Sequence, residues 1–303
     1  MQARLIAYPP DAAAASRWLQ PDQRMRIGRD PGCDLVIDHP SVSRNHAELY
    51  REGGRWRLRD LGSKNGSFVD GIAVTDHPLP DHCWLRLGDS YCDFTEFEAT
   101  QAEALRGRQD ERRALSQAMA LRLSQQPDAD SLPAQVLRGV MDLAGCSRGF
   151  VLLTDPTLGD FTVRASLRLD ADALQDRAFS GSVGAVQQVL GNGKPLVVND
   201  IGSEAWLAGR DSVIASGLKT LICLPLFDGS RVFGAVYADR RGPGEPVTDF
   251  DLELLGAFTE SATLYLLARR ALQSLDNAPR WQTIVEHATV AQPSQTRSAD
   301  TAP

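Results

Sequence analysis

Residues 27–71 read IGRDPGCDLVIDHPSVSRNHAELYREGGRWRLRDLGSKNGSFVDG. Segments in which apolar and polar residues alternate at period two are separated here by loop-like segments, as expected for half-buried strands. Three loops carry short polar motifs: Gly28-Arg29, Ser43-Arg44-Asn45-His46 and Ser63-Lys64-Asn65-Gly66. Each motif combines a residue that can bind an anion or a peptide backbone with one that lets the chain turn. The stretch therefore predicts a β-framework with a binding rim on its loops.

The order of these motifs resembles the forkhead-associated (FHA) domain. The resemblance is carried by residues 27–29, 33–37, 42–47 and 56–71 and covers about the first third of the chain. It implies an antiparallel all-β sandwich whose loops at one end bind a phosphothreonine peptide. It also implies that His46 braces these loops.

The same residue types suit the chemistry of phosphothreonine, which carries nearly two negative charges and three acceptor oxygens. Arg29 follows a strand-like segment, so its guanidinium should lie at a strand end. Ser43 and Lys64 offer a hydroxyl and an ammonium group from two other loops, and Arg44 offers a second guanidinium or a backbone donor. Each charge-assisted bond contributes about 1.5–3 kcal/mol, so two or three would make phosphorylation decisive.

Asn65 has a different predicted role, because an amide can pair with the backbone of an extended peptide beyond the phosphate. Gly28 and Gly66 permit the close turns on either side of the site. The alternatives are a solvated charge for Arg29 and a plain hairpin turn for Asn65-Gly66. A nucleophile–base pair between Ser43 and His46 is rejected, since no orienting third group or oxyanion loop accompanies it.

Composition narrows the classes of partner and compartment. The 303 residues carry a formal net charge of −7, and residues 1–100 hold 12 Lys and Arg against 15 Asp and Glu, which argues against nucleic acid or anionic membranes. The five cysteines have no Cys-x-x-Cys pair, so we expect neither disulfides nor a metal site. With no signal peptide and no apolar segment of membrane-spanning length, we expect a cytoplasmic protein.

The residue pattern changes after the first hundred residues. Residues 101–127 are rich in Ala, Leu, Gln, Glu and Arg, with Leu115, Met119 and Leu123 at helical spacing, and predict a connecting helix. Its apolar stripe can either pair with a second copy or dock on its own domain, and we favour docking. The chain is thus multidomain, with an FHA-like domain at 1–100 and this helical linker.

Residues 128–274 predict an α/β domain. The expected elements are a helix capped by Ser131, strands at 150–153 and 161–167, a helix at 182–190, a strand at 196–198, a helical patch at 206–216, a hairpin at 220–238 and a long helix with a Thr248–Asp251 capping box. This order resembles a GAF domain, and the segments 193–200, 218–226 and 234–237 carry the resemblance. It implies a sensor or dimerisation module that can hold a small ligand.

The GAF resemblance does not carry functional residues over. The cyclic-nucleotide and cysteine patterns of other GAF domains are missing, so we predict no cofactor. Gly191-Asn192-Gly193-Lys194 lacks the remaining residues of a phosphate loop and is interpreted as a hairpin-type turn. Phe150, Trp206 and Tyr237 either line a pocket or fill a core, and we favour the core. Residues 275–303 turn polar and predict a disordered tail.

These observations predict a non-catalytic, bacterial-type signalling adaptor that acts downstream of a Ser/Thr protein kinase. Its FHA-like domain should bind a threonine-phosphorylated protein, and its GAF-like domain should bind a small ligand or a second copy in a homodimer. No residue set suggests turnover, so we predict no catalytic residues. The alternative is a small-molecule-sensing regulator, such as the sensory half of a transcriptional regulator, whose main event is effector binding by the GAF-like domain.

Overall fold

The computed structural model describes residues 1–125, 131–155, 159–169, 180–199 and 219–276. These residues form an all-β sandwich, a helix α1 (Ala99–Ser124) and an α/β domain, which confirms the predicted fold class. The predicted helical patch at 206–216 and all but the first two residues of the predicted tail lie outside the described residues. Within the described ranges, every helix is too short or too polar to cross a membrane.

The first domain is built from two sheets that enclose one core. Its strands are β1 Gln2–Tyr8, β2 Ala15–Leu19, β3 Met25–Gly28, β4 Leu35–Val36, β5 Ala47–Glu52, β6 Arg55–Asp60, β7 Ser67–Val69, β8 Ile72–Val74, β9 Asp76–Pro78, β10 His82–Leu87 and β11 Ser90–Phe97. The sheet orders are β2-β1-β11-β10-β7-β8 and β4-β3-β5-β6-β9. All strand pairs are antiparallel except β3 with β4.

Period-two alternation in β6 explains how the sandwich closes. Trp56 and Leu58 point inward and are buried, whereas the arginines that alternate with them, Arg55, Arg57 and Arg59, face outward. The Trp56 ring meets the ring of Phe94 from the opposite sheet edge-on, with centroids 6.4 Å apart. Such an aromatic pair adds about 0.5–1.5 kcal/mol beyond the area it buries. The contact fixes the two sheets face to face and leaves the strand-connecting loops at the ends of the sandwich.

The second domain has a five-stranded antiparallel sheet between helices. Its elements are α2 Leu132–Ala144, β12 Arg148–Thr154, β13 Phe161–Leu167, α3 Ser180–Asn192, β14 Leu196–Asn199, β15 Thr220–Asp228, β16 Arg231–Arg240 and α4 Asp249–Asp276, and the sheet order is β13-β12-β16-β15-β14. Apolar residues of α2 and α4 pack on one face of the sheet. On the other face, α3 covers Phe150 and Tyr237, whose buried rings stack at 4.9 Å. These two aromatic residues therefore belong to the core.

One local prediction for this domain is wrong. The Gly191–Lys194 segment is the end of α3, because Gly193 has a φ of 65° and its N–H donates to the Val189 carbonyl at 2.9 Å. A glycine that ends a helix in the left-handed conformation has the same local sequence as a hairpin turn. Ser131 is the N-cap residue of α2, as predicted, with Pro133 in the first turn, but its side chain makes no capping hydrogen bond. The Thr248–Asp251 capping box is confirmed by Thr248 N to Asp251 Oδ2 at 2.9 Å and Asp251 N to Thr248 Oγ1 at 3.4 Å.

The connecting helix α1 packs against the second domain. Ser116 is buried and its hydroxyl donates to the Leu254 carbonyl of α4 at 3.4 Å. The Arg113 guanidinium lies over the Phe250 ring, 4.8 Å from its centroid. Of the predicted apolar stripe, Leu123 is buried but Leu115 is 41% exposed. The helix therefore turns only part of this stripe towards the domain.

The two domains also contact each other directly beside α1. Ala14, just before β2, donates its N–H to the Val247 carbonyl at 2.9 Å, and the Asp249 N–H donates to the Ala14 carbonyl at 2.8 Å. These two bonds form a short parallel bridge between Ala14 and Thr248. The guanidinium of Arg17 pairs with the Asp249 carboxylate at the same place. The start of α4 is thereby attached to the edge of the β-sandwich.

Candidate functional site

The three polar motifs converge at one end of the β-sandwich. Gly28-Arg29 ends β3, the Ser43 motif lies between β4 and β5, and the Lys64 motif lies between β6 and β7. Arg29 donates its backbone N–H to the Ser43 carbonyl at 2.9 Å. The Lys64 N–H donates to the Ser43 hydroxyl at 3.0 Å. Ser43 is thus the residue through which the other two motifs are connected.

Gly28 allows the first two motifs to approach each other. A Cβ atom at this position would lie 2.0 Å from the Arg44 carbonyl oxygen, a distance that no side chain can tolerate. The same carbonyl accepts hydrogen bonds from the Asp30 N–H at 3.1 Å and from the Cys33 thiol at 3.3 Å. Glycine before Arg29 is therefore a steric requirement, and it holds the backbone of Arg44 directly against the end of β3.

The buried side chain of His46 links the second motif to the third. Its side chain is fully buried, with Nδ1 accepting from the Ser43 N–H at 3.1 Å and Nε2 lying 3.1 Å from the Gly66 carbonyl. Because Nδ1 accepts from a backbone amide, the proton must be on Nε2, which then donates to Gly66. Burial lowers the pKa of His46, so the ring stays neutral and keeps both bonds.

Asp60 organises the third loop from the end of β6. Its carboxylate accepts from the Ser63 N–H at 2.8 Å and from the hydroxyls of Ser63 and Ser67, each at 2.6 Å. Partial burial raises the pKa of this carboxyl, but the three hydrogen bonds outweigh burial and hold the pKa below its usual range. This role could not be predicted from sequence, because an aspartate at a strand end is common in any loop.

The exposed surface above this framework carries the predicted binding groups. Arg29, Arg44, Lys64 and Asn65 are exposed, and Arg29 Nε makes a long bond of 3.4 Å to the Val42 carbonyl. The Ser43 hydroxyl accepts from Lys64, so its own proton can be donated to an anion. Two guanidinium groups, one ammonium group and one hydroxyl thus lie on adjoining loops, an arrangement suited to a phosphate dianion.

Asn65 shows a contact that its motif did not indicate. Its Nδ2 donates to the carbonyl of Ser41 at 2.7 Å, while Gly66 has a φ of 75°, as a turn at this position requires. Sequence reasoning missed Ser41, which has no distinctive spacing relative to Asn65. The roles of Arg29, Ser43, Arg44, Lys64 and Asn65 in binding stay predictions.

The matches to protein families agree with this arrangement of domains. A family model described as the FHA domain matches residues 25–88, and one described as the GAF domain matches residues 128–266. The chain is an FHA–GAF protein. The FHA match contains all three polar motifs, and the GAF match runs from the gap before α2 into α4.

Two relatives of similar sequence each match about a quarter of the chain. The glycogen accumulation regulator GarA of Mycolicibacterium smegmatis is 42% identical over 75 residues, which are 25% of this chain and 48% of that protein. An oxoglutarate dehydrogenase inhibitor of Corynebacterium jeikeium is 40% identical over 75 residues, or 25% of this chain and 52% of that protein. The FHA–GAF chain spans about half the length of these curated relatives.

One solved structure matches a similar share of the chain. Mycobacterium tuberculosis EmbR in complex with a low-affinity phosphopeptide is 33% identical to the FHA–GAF chain, with a TM-score of 0.26. The match covers 30% of this chain and 24% of EmbR.

Proposed function

We propose that this FHA–GAF chain is a phosphothreonine-peptide-binding signalling adaptor that acts downstream of a Ser/Thr protein kinase. The observation that supports the proposal is the convergence of Arg29, the Ser43 hydroxyl and Lys64 on adjoining loops at one end of the sandwich. These groups bind the phosphate, while Asn65 pairs with the peptide backbone beyond it. The partner is a threonine-phosphorylated protein, and the chain itself catalyses no reaction.

The framework under the site is rigid, which favours recognition of one ligand geometry. His46, Gly28 and Asp60 fix the loop backbones through buried or close contacts, so little conformational entropy is lost when a peptide binds. The exposed cationic side chains on this framework bind the phosphate mainly through direct contacts. The domain has no net positive charge that would attract anions from a distance. A phosphate held by two or three charge-assisted bonds fits micromolar affinity.

The GAF domain has a supporting role in this proposal. It responds to a small ligand or pairs with a second copy of the chain, and in either case it changes where or when the FHA domain binds its partner. The small-molecule regulator remains the competing function. We do not favour it, because Phe150 and Tyr237 stack inside the core and the Tyr237 hydroxyl donates to the buried Asp239 at 2.7 Å.

A phosphopeptide array probed with the full chain tests the proposal, followed by titration calorimetry on the best peptide. We expect Arg29→Ala to lower affinity about tenfold or more, since about 1.5–3 kcal/mol accompanies a charge-assisted bond. Arg55→Ala is the matched control: Arg55 is an exposed arginine at the opposite end of β6, about 17 Å from the loop by strand rise. It should bind like the parent.

Two results would end the proposal: equal affinity for the phosphorylated and unphosphorylated peptides, or equal affinity of the parent and Arg29→Ala. Native mass spectrometry of the purified full chain tests the competing function. A small molecule retained by the chain, together with an array that yields no phosphopeptide, would favour the small-molecule regulator.

A further inference from the structure

Residues 39–41, which precede the Ser43 motif in the loop between β4 and β5, contact the side chain of Asn65. Asn65 is exposed, yet its Nδ2 donates to the Ser41 carbonyl at 2.7 Å. The opposite orientation of the amide would set Oδ1 against the lone pairs of that carbonyl, which is repulsive. The Ser41 carbonyl therefore determines which end of the Asn65 amide faces away from the protein. Oδ1 and the second N–H of Nδ2 are left on the outer side.

Ser41 is itself held by its hydroxyl. Ser41 Oγ accepts from the Asp89 N–H at 2.8 Å and lies 2.7 Å from Nδ1 of His39. The same Nδ1 accepts from the Ser41 N–H at 3.3 Å, so it carries no proton and the hydroxyl must be the donor to His39. The hydroxyl thus uses its proton and one lone pair, and these two bonds fix the backbone of Ser41, including its carbonyl.

The turn between β10 and β11 connects this segment to the third motif. A Cβ atom on Gly88 would lie 2.4 Å from the Ser41 carbonyl oxygen and 2.7 Å from Oγ, so only glycine lets Ser41 pack there. The Gly88 N–H also bonds to the Gly66 carbonyl at 3.2 Å. Gly88 therefore contacts both the residue that accepts from Asn65 and the residue that follows Asn65. This geometry fixes the amide relative to its own loop.

We propose that Ser41 is a positioning residue for peptide binding: its hydroxyl anchors the carbonyl that orients Asn65, so that Oδ1 meets a backbone N–H of the bound peptide. The inference rests on the proposed phosphopeptide function and extends it from the phosphate to the adjacent peptide group. Ser41 does not contact the phosphate in this scheme. Its effect passes through Asn65 alone, and that separates it from Arg29 and Ser43.

A double-mutant cycle in the full chain tests the inference. Parent, Ser41→Ala, Asn65→Ala and the double variant are titrated with the best phosphothreonine peptide from the array and with free O-phospho-L-threonine, which lacks a flanking backbone. We expect Ser41→Ala to weaken peptide binding roughly three- to tenfold and to leave O-phosphothreonine binding unchanged. In the Asn65→Ala background, Ser41→Ala should cause no further loss. Ser41→Thr, which keeps the hydroxyl, should restore most of the affinity.

A second measurement tests, in the absence of a ligand, whether Ser41 orients the Asn65 amide. In the free protein, the side-chain amide protons of Asn65 should show one hydrogen-bonded and one solvent-exposed resonance by NMR, and Ser41→Ala should remove this difference. Fully additive losses in the cycle, or equal losses for peptide and O-phosphothreonine, would overturn the inference while leaving the phosphopeptide function intact. A parent that binds no phosphopeptide overturns the function itself, and the inference with it.

Discussion

Replacing His46 by alanine should strongly lower the free energy of unfolding of the FHA domain. The exposed side chains of the binding surface are themselves unchanged by this substitution. The imidazole is fully buried and joins the Ser43 N–H to the Gly66 carbonyl, with both bonds at 3.1 Å. Alanine leaves the Ser43 N–H without its partner and the Gly66 carbonyl with only its bond from the Gly88 N–H at 3.2 Å, in a space too confined to be filled without rearrangement. His46→Ala therefore tests whether the loops are braced through this ring.

The expected loss of stability follows from these two groups. The Ser43 N–H left unpaired costs about 1–3 kcal/mol, and the lost bond to the Gly66 carbonyl and the cavity left by the ring add to this. A total of about 2–6 kcal/mol is a large share of the 5–15 kcal/mol typical of a domain. For a domain of this size, one kcal/mol moves the melting temperature by about 4–8 °C. We expect the FHA transition to fall by about 10 °C or more.

Thermal and urea unfolding of the full chain, followed by tryptophan fluorescence, measure the effect. The control is His77→Ala, which removes an exposed histidine of the same domain and should leave the transition unchanged. If His46→Ala melts like the parent yet no longer binds phosphopeptide, the bracing role is refuted and the ring acts on the ligand instead.

The protonation of His46 also predicts how the stability of the FHA domain depends on pH. Burial lowers the folded-state pKa of His46 below the value of about 6.5 expected in the unfolded chain. The unfolded state therefore takes up the proton first, so the contribution of His46 is complete above about pH 6.5. It is lost as the pH falls towards the folded-state pKa, by up to about 1.4 kcal/mol per pH unit. His46→Gln should lack this loss.

Three further predictions concern single contacts. Ser43→Ala should weaken phosphopeptide binding with little change in melting temperature, as measured by calorimetry and thermal unfolding, because the Lys64 N–H that it releases is exposed and can bond to water. Lys64→Ala should reduce affinity less than Asn65→Ala, and this reduction should shrink at high salt on an array run at two ionic strengths. Ala14→Pro removes the donor to Val247 and should speed hydrogen exchange of the Asp249 amide, with exchange in β5 and β6 unchanged as the internal control.

The sequence predicted the parts of the molecule that depend on local pattern. Period-two alternation located the strands of the sandwich, and the spacing of Thr248 and Asp251 predicted the capping box that begins α4. The three polar motifs were also found from sequence, because each contains a turn-forming residue beside a binding residue. Local pattern was thus sufficient wherever the structure repeats a local geometry.

Contacts between distant segments could not be predicted in this way. Ser41 and Asn65 are 24 residues apart, and Ser41 and Asp89 are 48 apart, so no periodicity relates them. The bonds that matter also use backbone groups, namely the Ser41 carbonyl and the Asp89 N–H, which every residue possesses. Side-chain identity therefore carried no signal for the segment that orients Asn65.

The junction between the domains also depends on backbone groups that are distant in sequence, and it links the movements of the two domains. The Val247 carbonyl accepts from the Ala14 N–H of the sandwich at 2.9 Å and from Asn199 Nδ2 at 3.0 Å. The Val247 N–H in turn donates to Asn199 Oδ1 at 2.9 Å. Asn199 ends β14, so one residue, Val247, joins the edge of the GAF sheet to the edge of the FHA sandwich. A displacement at the end of β14 that keeps both Asn199–Val247 bonds must therefore either move the start of β2 or break the bond to Ala14, and the two sheet edges are thus connected through one residue.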